Sequence, residues 1–217
     1  MLKKIILPCL SIFLFSACSL KMPELKMPEF LSFGKDKNAS ALERANICQK
    51  IEEMDNKLFC YKKILDENSY AQLRMGTYNV EKKDYKKAVE YLNQAIDNKN
   101  AYANLALAFL YYKGDGVEKD INKAFKLLSD ASNIDPNAAY QLSRFYLQGI
   151  NTKIDNEKGI DLLEFSAQNG VFQAQELLSN VYKQGLYGVA KDQIKYEYWL
   201  KKASSNKEDK NSNIYIF

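Results

Sequence analysis

The stretch Leu107-Ala-x2-Tyr111-x2-Gly114-x-Gly116-Val-x2-Asp120-x3-Ala124-x6-Ala131 decides the fold. Spacings of three and four set Leu107, Ala108 and Tyr111 on one helical face, and Ala124 and Ala131 on another. Between them, two glycines supply backbone freedom for a turn, and an aspartate supplies the oxygen that begins a second helix. The stretch therefore reads as a hairpin of a helix A and a helix B.

The same pattern returns along the chain. Ala71-x3-Met75-Gly76, Ala103-x3-Leu107-Ala108, Ala138-x3-Leu142-Ser143 and Ala174-x3-Leu178-Ser179 fall into register, with starts 32, 35 and 36 residues apart. Asp84, Asp120, Asp155 and Asp192 each precede a second helical pattern, so a cluster of acidic residues is read as four N-caps, not an acidic site. Asp135-Pro136 opens a helix A in the same manner. Periods of this length belong to stacked repeats.

On those residues the chain resembles the Sel-one-like repeat, a longer relative of the tetratricopeptide repeat. Three such units cover about 101–203, while 70–97 has a shorter turn and looks closer to the tetratricopeptide repeat. Units four and five depart from the pattern through Asn151-Thr152 in place of Gly-Val, Gly159 at the helix B alanine, and one inserted residue before Asp192. The resemblance implies an all-α, right-handed α-solenoid of about five stacked helix hairpins over 41–203, whose A helices line an extended concave surface. In relatives, comparable lipoproteins support exopolysaccharide export or contact host factors.

The sequence has 217 residues, a net charge of +4 and no histidine. The missing imidazole removes Ser-His-Asp triads, Cys-His pairs and His-bearing zinc sites together. So small a net charge gives no footprint for nucleic acid. No cofactor, metal or catalytic residue is expected. Ser32-x-x-Lys35 and Ser204-x-x-Lys207 match a serine-lysine nucleophile pattern at the frequency chance supplies. They are the only handle for the alternative reading, a cell-wall-active penicillin-binding protein or hydrolase.

The beginning of the sequence reads as a lipoprotein signal, residues 1–17. Lys3 and Lys4 precede the apolar run Ile5–Phe15, which is too short to span a bilayer. Phe15-Ser-Ala-Cys18 resembles a lipobox, which makes Cys18 the first mature residue and its lipidation site; Ser19 resembles a signal for the outer membrane. Residues 18–40, with Leu-Lys-Met-Pro-Glu twice in succession, read as a tether, since proline at a five-residue interval suits neither helix nor sheet. Asp36-Lys-Asn38-Ala-Ser40 resembles an extended bacterial glycosylation sequon, which makes Asn38 a candidate glycan site. The expected setting is the outer membrane, lipid-anchored and facing the periplasm, with surface display for host contact as the alternative.

Cys48 and Cys60 are twelve apart, as are the close-packing Gly76 and Ala88 of the second hairpin. On that template 41–53 forms one helix, the chain turns near Met54-Asp55, and a second helix starts at Asn56, with the cysteines opposed where the helices cross. An exported chain then favours a Cys48–Cys60 disulfide. The candidate partner surface is the stripe beside each helix A packing residue, notably Tyr102, Phe109, Tyr112, Tyr140 and Arg144. Such residues either anchor an unidentified envelope protein or pack between repeats. Residues 204–217 read as a tail, polar and then apolar at Ile214-Tyr-Ile-Phe217, frayed by default, with docking of its tip on the last hairpin or on a partner's sheet edge as the alternatives.

Overall fold

The structure, a computed structural model, describes residues 40–206 and 214–217. Among these residues it contains α1 (Ala41–Gln49), α2 (Met54–Ile64), α3 (Ser69–Glu81), α4 (Tyr85–Asp97), α5 (Ala103–Lys113), α6 (Ile121–Ala131), α7 (Pro136–Gln148), α8 (Asn156–Gln168), α9 (Phe172–Gln184) and α10 (Gln193–Ser205), with a 3-10 turn at Leu65–Glu67 and no strand. Consecutive helices pair into five hairpins, and each hairpin packs on the next. The signal 1–17, Cys18, Asn38, Ser32-x-x-Lys35 and the tether up to residue 39 lie outside the described residues.

Every aspartate expected to begin a B helix caps one. Asp84, Asp120, Asp155 and Asp192 accept the amides of Lys87, Lys123, Lys158 and Lys195. The repeated tyrosine ties the two helices of a hairpin together at that cap. The carbonyls of Tyr111, Tyr146 and Tyr182 accept the amides of Asp120, Asp155 and Asp192 at 2.9, 3.0 and 3.0 Å. Lys123, Lys158 and Lys195 then lie over the same rings at 4.2, 5.4 and 4.7 Å from the centroids. One tyrosine thus serves the turn through its backbone and the B helix through its ring.

Packing explains the small residues. A Cβ on Gly76 would sit 2.7 Å from Leu92 Cδ2, so only glycine lets α3 and α4 meet there. Gly116 combines a positive φ of 72° with a position where a Cβ would lie 2.5 Å from Tyr85 Cβ. Both its conformation and its contact with the preceding hairpin exclude a larger residue. In the next hairpin the corresponding position is Asn151 at φ 58°, the residue type that next best tolerates the left-handed region.

The first hairpin departs from the sequence template. Helix α1 ends at Gln49, not at Glu53, and α2 begins at Met54. Glu53 is outside the helix because its carboxylate accepts the amides of Asp55 and Asn56 at 3.3 and 3.2 Å, making it the N-cap of α2. Cys48 consequently lies in the last turn of α1. It is nevertheless bonded to Cys60, with the alpha carbons 5.5 Å apart and both residues buried.

Candidate binding groove

The A helices α3, α5 and α7, with Gln173 of α9, line an open cleft of about 680 Å³. Three of the sequence-derived partner residues meet there: Phe109, Tyr140 and Arg144. Phe109 is 41% exposed, a large apolar ring left facing solvent. The Arg144 guanidinium stands 5.9 Å from the Tyr140 ring and donates to Gln141 Oε1 at 3.1 Å, which holds both the charge and the ring at the cleft wall.

The other two candidates sit differently. Tyr112 is 39% exposed but lies 5.8 Å from the Phe145 ring of the next repeat, in a smaller pocket of about 80 Å³ shared with Phe109 and Arg144. Tyr102 is outside the cleft, between Tyr70 at 6.3 Å and Tyr215 at 6.2 Å. Burial raises its pKa, and the neighbouring Tyr70 and Asp135 add to the rise. Leu105 and Leu147, from the same stripe, are buried.

One wall of the cleft is made by Tyr215 and Ile216. The apolar tip of the tail is therefore not frayed, and it docks not on the last hairpin but across the A-helix side of the earlier hairpins. Its backbone is held by three side chains: Arg74 Nε donates to the carbonyl of Ile214 at 3.3 Å, Thr77 Oγ1 to that of Tyr215 at 2.7 Å, and Gln49 Nε2 to that of Ile216 at 3.2 Å. The Tyr215 hydroxyl donates to Asp135 Oδ2, on the carboxylate that also caps α7 through its Oδ1. Phe217 lies between Tyr61 and Tyr78, with ring centroids 4.8 and 4.3 Å away. The Tyr61 hydroxyl has its pKa raised by burial, an effect opposed by the Arg74 charge beside it.

Sequence reasoning missed Gln49, Arg74 and Thr77 as the residues that hold the C-terminal segment, and gave Asp135 only its capping role. A signal existed for one of them. Arg74 occupies the register filled elsewhere by Ala106, Gln141 and Leu177, so a charge interrupts a helix face that is otherwise uncharged.

A model of the Sel1 repeat matches four segments, 69–100, 101–133, 136–171 and 172–207, well over half of the chain. The chain belongs to the Sel1 repeat family. The first matched Sel1 repeat includes the hairpin read from sequence as closer to a tetratricopeptide repeat, so its shorter turn at Lys82–Asp84 does not take it out of the family. A 102-residue portion is 32% identical to the alginate biosynthesis protein AlgK of Pseudomonas syringae pv. tomato, covering 47% of this chain and 22% of that one. The fold is shared with the crystal structure of a Sel1 repeat protein from Oxalobacter formigenes, with a TM-score of 0.71 and 22% identity over 76% of this chain and 73% of that one. It is shared as well with c5321, a protective antigen of uropathogenic Escherichia coli, with a TM-score of 0.62 and 19% identity over 80% of this chain and 40% of that one. Among the described residues no helix of this Sel1 repeat chain is long and apolar enough to cross a membrane, and no acidic, cysteine or histidine cluster is placed to hold a metal ion.

Proposed function

We propose that this Sel1 repeat protein is a binding scaffold of the bacterial envelope, lipidated at Cys18, held at the outer membrane and facing the periplasm, and that it works through the A-helix groove without catalysis. The observation that carries this reading is the convergence of Phe109, Tyr140 and Arg144, from two successive repeats, on one open cleft. Aromatic rings supply contact area at small entropic cost, and arginine a polar handle, which is the composition of interface anchors. The similarity to an alginate biosynthesis protein supports a place in an envelope assembly. The lipobox-like Phe15-Ser-Ala-Cys18 supports the anchor, and a glycan on Asn38 would sit between the anchor and the solenoid.

The expected result is that affinity-purified wild-type protein retains an envelope partner that the combined variant Phe109→Ala, Tyr140→Ala, Arg144→Glu loses, while both variants of the pair show the same helical circular dichroism. Equal retention by the two proteins would remove the groove from the interaction. Replacing Cys18 with alanine is expected to move the protein from the membrane to the soluble fraction.

A further inference from the structure

The docked segment Ile214–Phe217 has the features of a ligand in a site. Its three successive carbonyls are each read by a side-chain donor, two from α3 and one from α1. Arg74 and Thr77 are three residues apart and so project from the same face of one helix. Donors aimed at main-chain carbonyls recognise a backbone path whatever its sequence, here a turn at Ile214-Tyr215 followed by irregular chain, and selectivity then falls to the side chains. Here the alternate residues are the ones with dedicated partners. Tyr215 places its ring edge-on to Tyr102 and gives its hydroxyl proton to the Asp135 carboxylate, which is 0% exposed. Phe217 stacks between Tyr61 and Tyr78, with the Lys57 ammonium 5.9 Å from its ring. The contacts lie up to 167 residues back along the sequence, so this is no local turn.

We propose that the groove is a receptor for a peptide of the pattern Tyr-x-aromatic, and that Ile214–Phe217 is its resident occupant in the free protein. A partner presenting a segment of that pattern displaces the resident. Residence by a tethered segment raises the threshold for capture, because the tethered copy acts at a high effective concentration. An incoming segment longer than four residues has further surface to meet. The open cleft begins where Tyr215 and Ile216 form its wall and continues to Phe109, Tyr140 and Arg144, so additional residues find contacts there. This inference rests on the scaffold reading for its setting and names the partner chemistry and the regulation of that same groove.

The test uses a fluorescein-labelled peptide of the sequence Asn211-Ser-Asn-Ile-Tyr-Ile-Phe217, read by fluorescence anisotropy against the full chain and against the chain lacking residues 214–217. Removing the resident is expected to tighten peptide binding by at least about tenfold, and a control peptide with serine in place of both aromatics is expected not to bind. Thr77→Val in the tailless chain, which removes one carbonyl donor, is expected to weaken binding severalfold. Should the tailless chain lose its helical circular dichroism, Phe217→Ala in the full chain provides the weakened resident, with tighter peptide binding again expected. Equal affinity with and without the resident, or equal binding of the control peptide, would overturn the proposal. A dimer in sedimentation analysis that disappears with residues 214–217 would overturn it too, since the segment would then belong to a second copy. The assay contains no envelope protein, so a negative result leaves the scaffold reading to be judged by its own copurification, and a positive result does not rescue that reading.

Discussion

Replacing Arg74 with methionine is expected to lower the unfolding free energy by about 3 kcal/mol, measured by urea denaturation of the oxidised protein. Arg74 is 1% exposed, yet its guanidinium reaches partners in α1, in α2 and in the C-terminal segment. It donates to Asn46 Oδ1 of α1 at 2.6 Å, to the Tyr61 hydroxyl of α2 at 3.4 Å and to the carbonyl of Ile214 at 3.3 Å, all from its own place in α3. Hydrogen bonds from a charged donor contribute more than neutral ones, and truncating the donor leaves the buried Tyr61 hydroxyl and two part-buried acceptors without it. Methionine keeps the volume and removes these bonds, so the loss reports the polar network and not a cavity. Lysine is expected to recover only part of it, because one ammonium does not reproduce the planar fork that reaches three acceptors. A change below about 1 kcal/mol would show that the network contributes little to stability.

Removing the disulfide by Cys48→Ala and Cys60→Ala is expected to cost roughly 2–3 kcal/mol, the contribution of closing a short loop in the unfolded chain. The cysteines are 12 residues apart and join the last turn of α1 to α2. The consequence is local in a stack whose repeats contact only their neighbours. Among the later helices the first hairpin packs chiefly on α3. Hydrogen exchange in α1 and α2 is therefore expected to accelerate strongly, with protection of α7 to α10 unchanged. Uniform loss of protection along the chain would contradict a stack of semi-independent hairpins.

What the sequence makes legible is whatever a repeat states several times within a short span. The capping aspartates, the hairpin pairing and the glycine turns are local and periodic, and the structure has each of them where the spacing places it. The Cys48–Cys60 pairing was readable from a twelve-residue spacing even though the helix boundaries on that template were displaced. The displacement comes from Glu53, a residue type that rarely caps and so announces nothing in sequence. The aromatic stripe was legible as a stripe, but whether a ring faces solvent depends on the neighbouring repeat. Phe109 is left open, whereas Tyr112 meets Phe145 and Tyr102 meets Tyr215. The polar residues that hold the C-terminal segment were not legible at all. Gln49, Arg74, Thr77 and Asp135 are brought together only by the stacking of hairpins and by a segment 80 to 167 residues away, a juxtaposition no local period encodes.

The central claim is that the open cleft of the A helices is the surface this protein uses. In-cell photo-crosslinking from position 109 in place of Phe109, with Asn122 on the exposed side of α6 as the paired position, tests it most directly. One dominant envelope protein captured from position 109 and not from position 122 is the expected result. The same adducts from both positions, or none from position 109, would contradict it and leave Phe109 as an exposed ring with no partner.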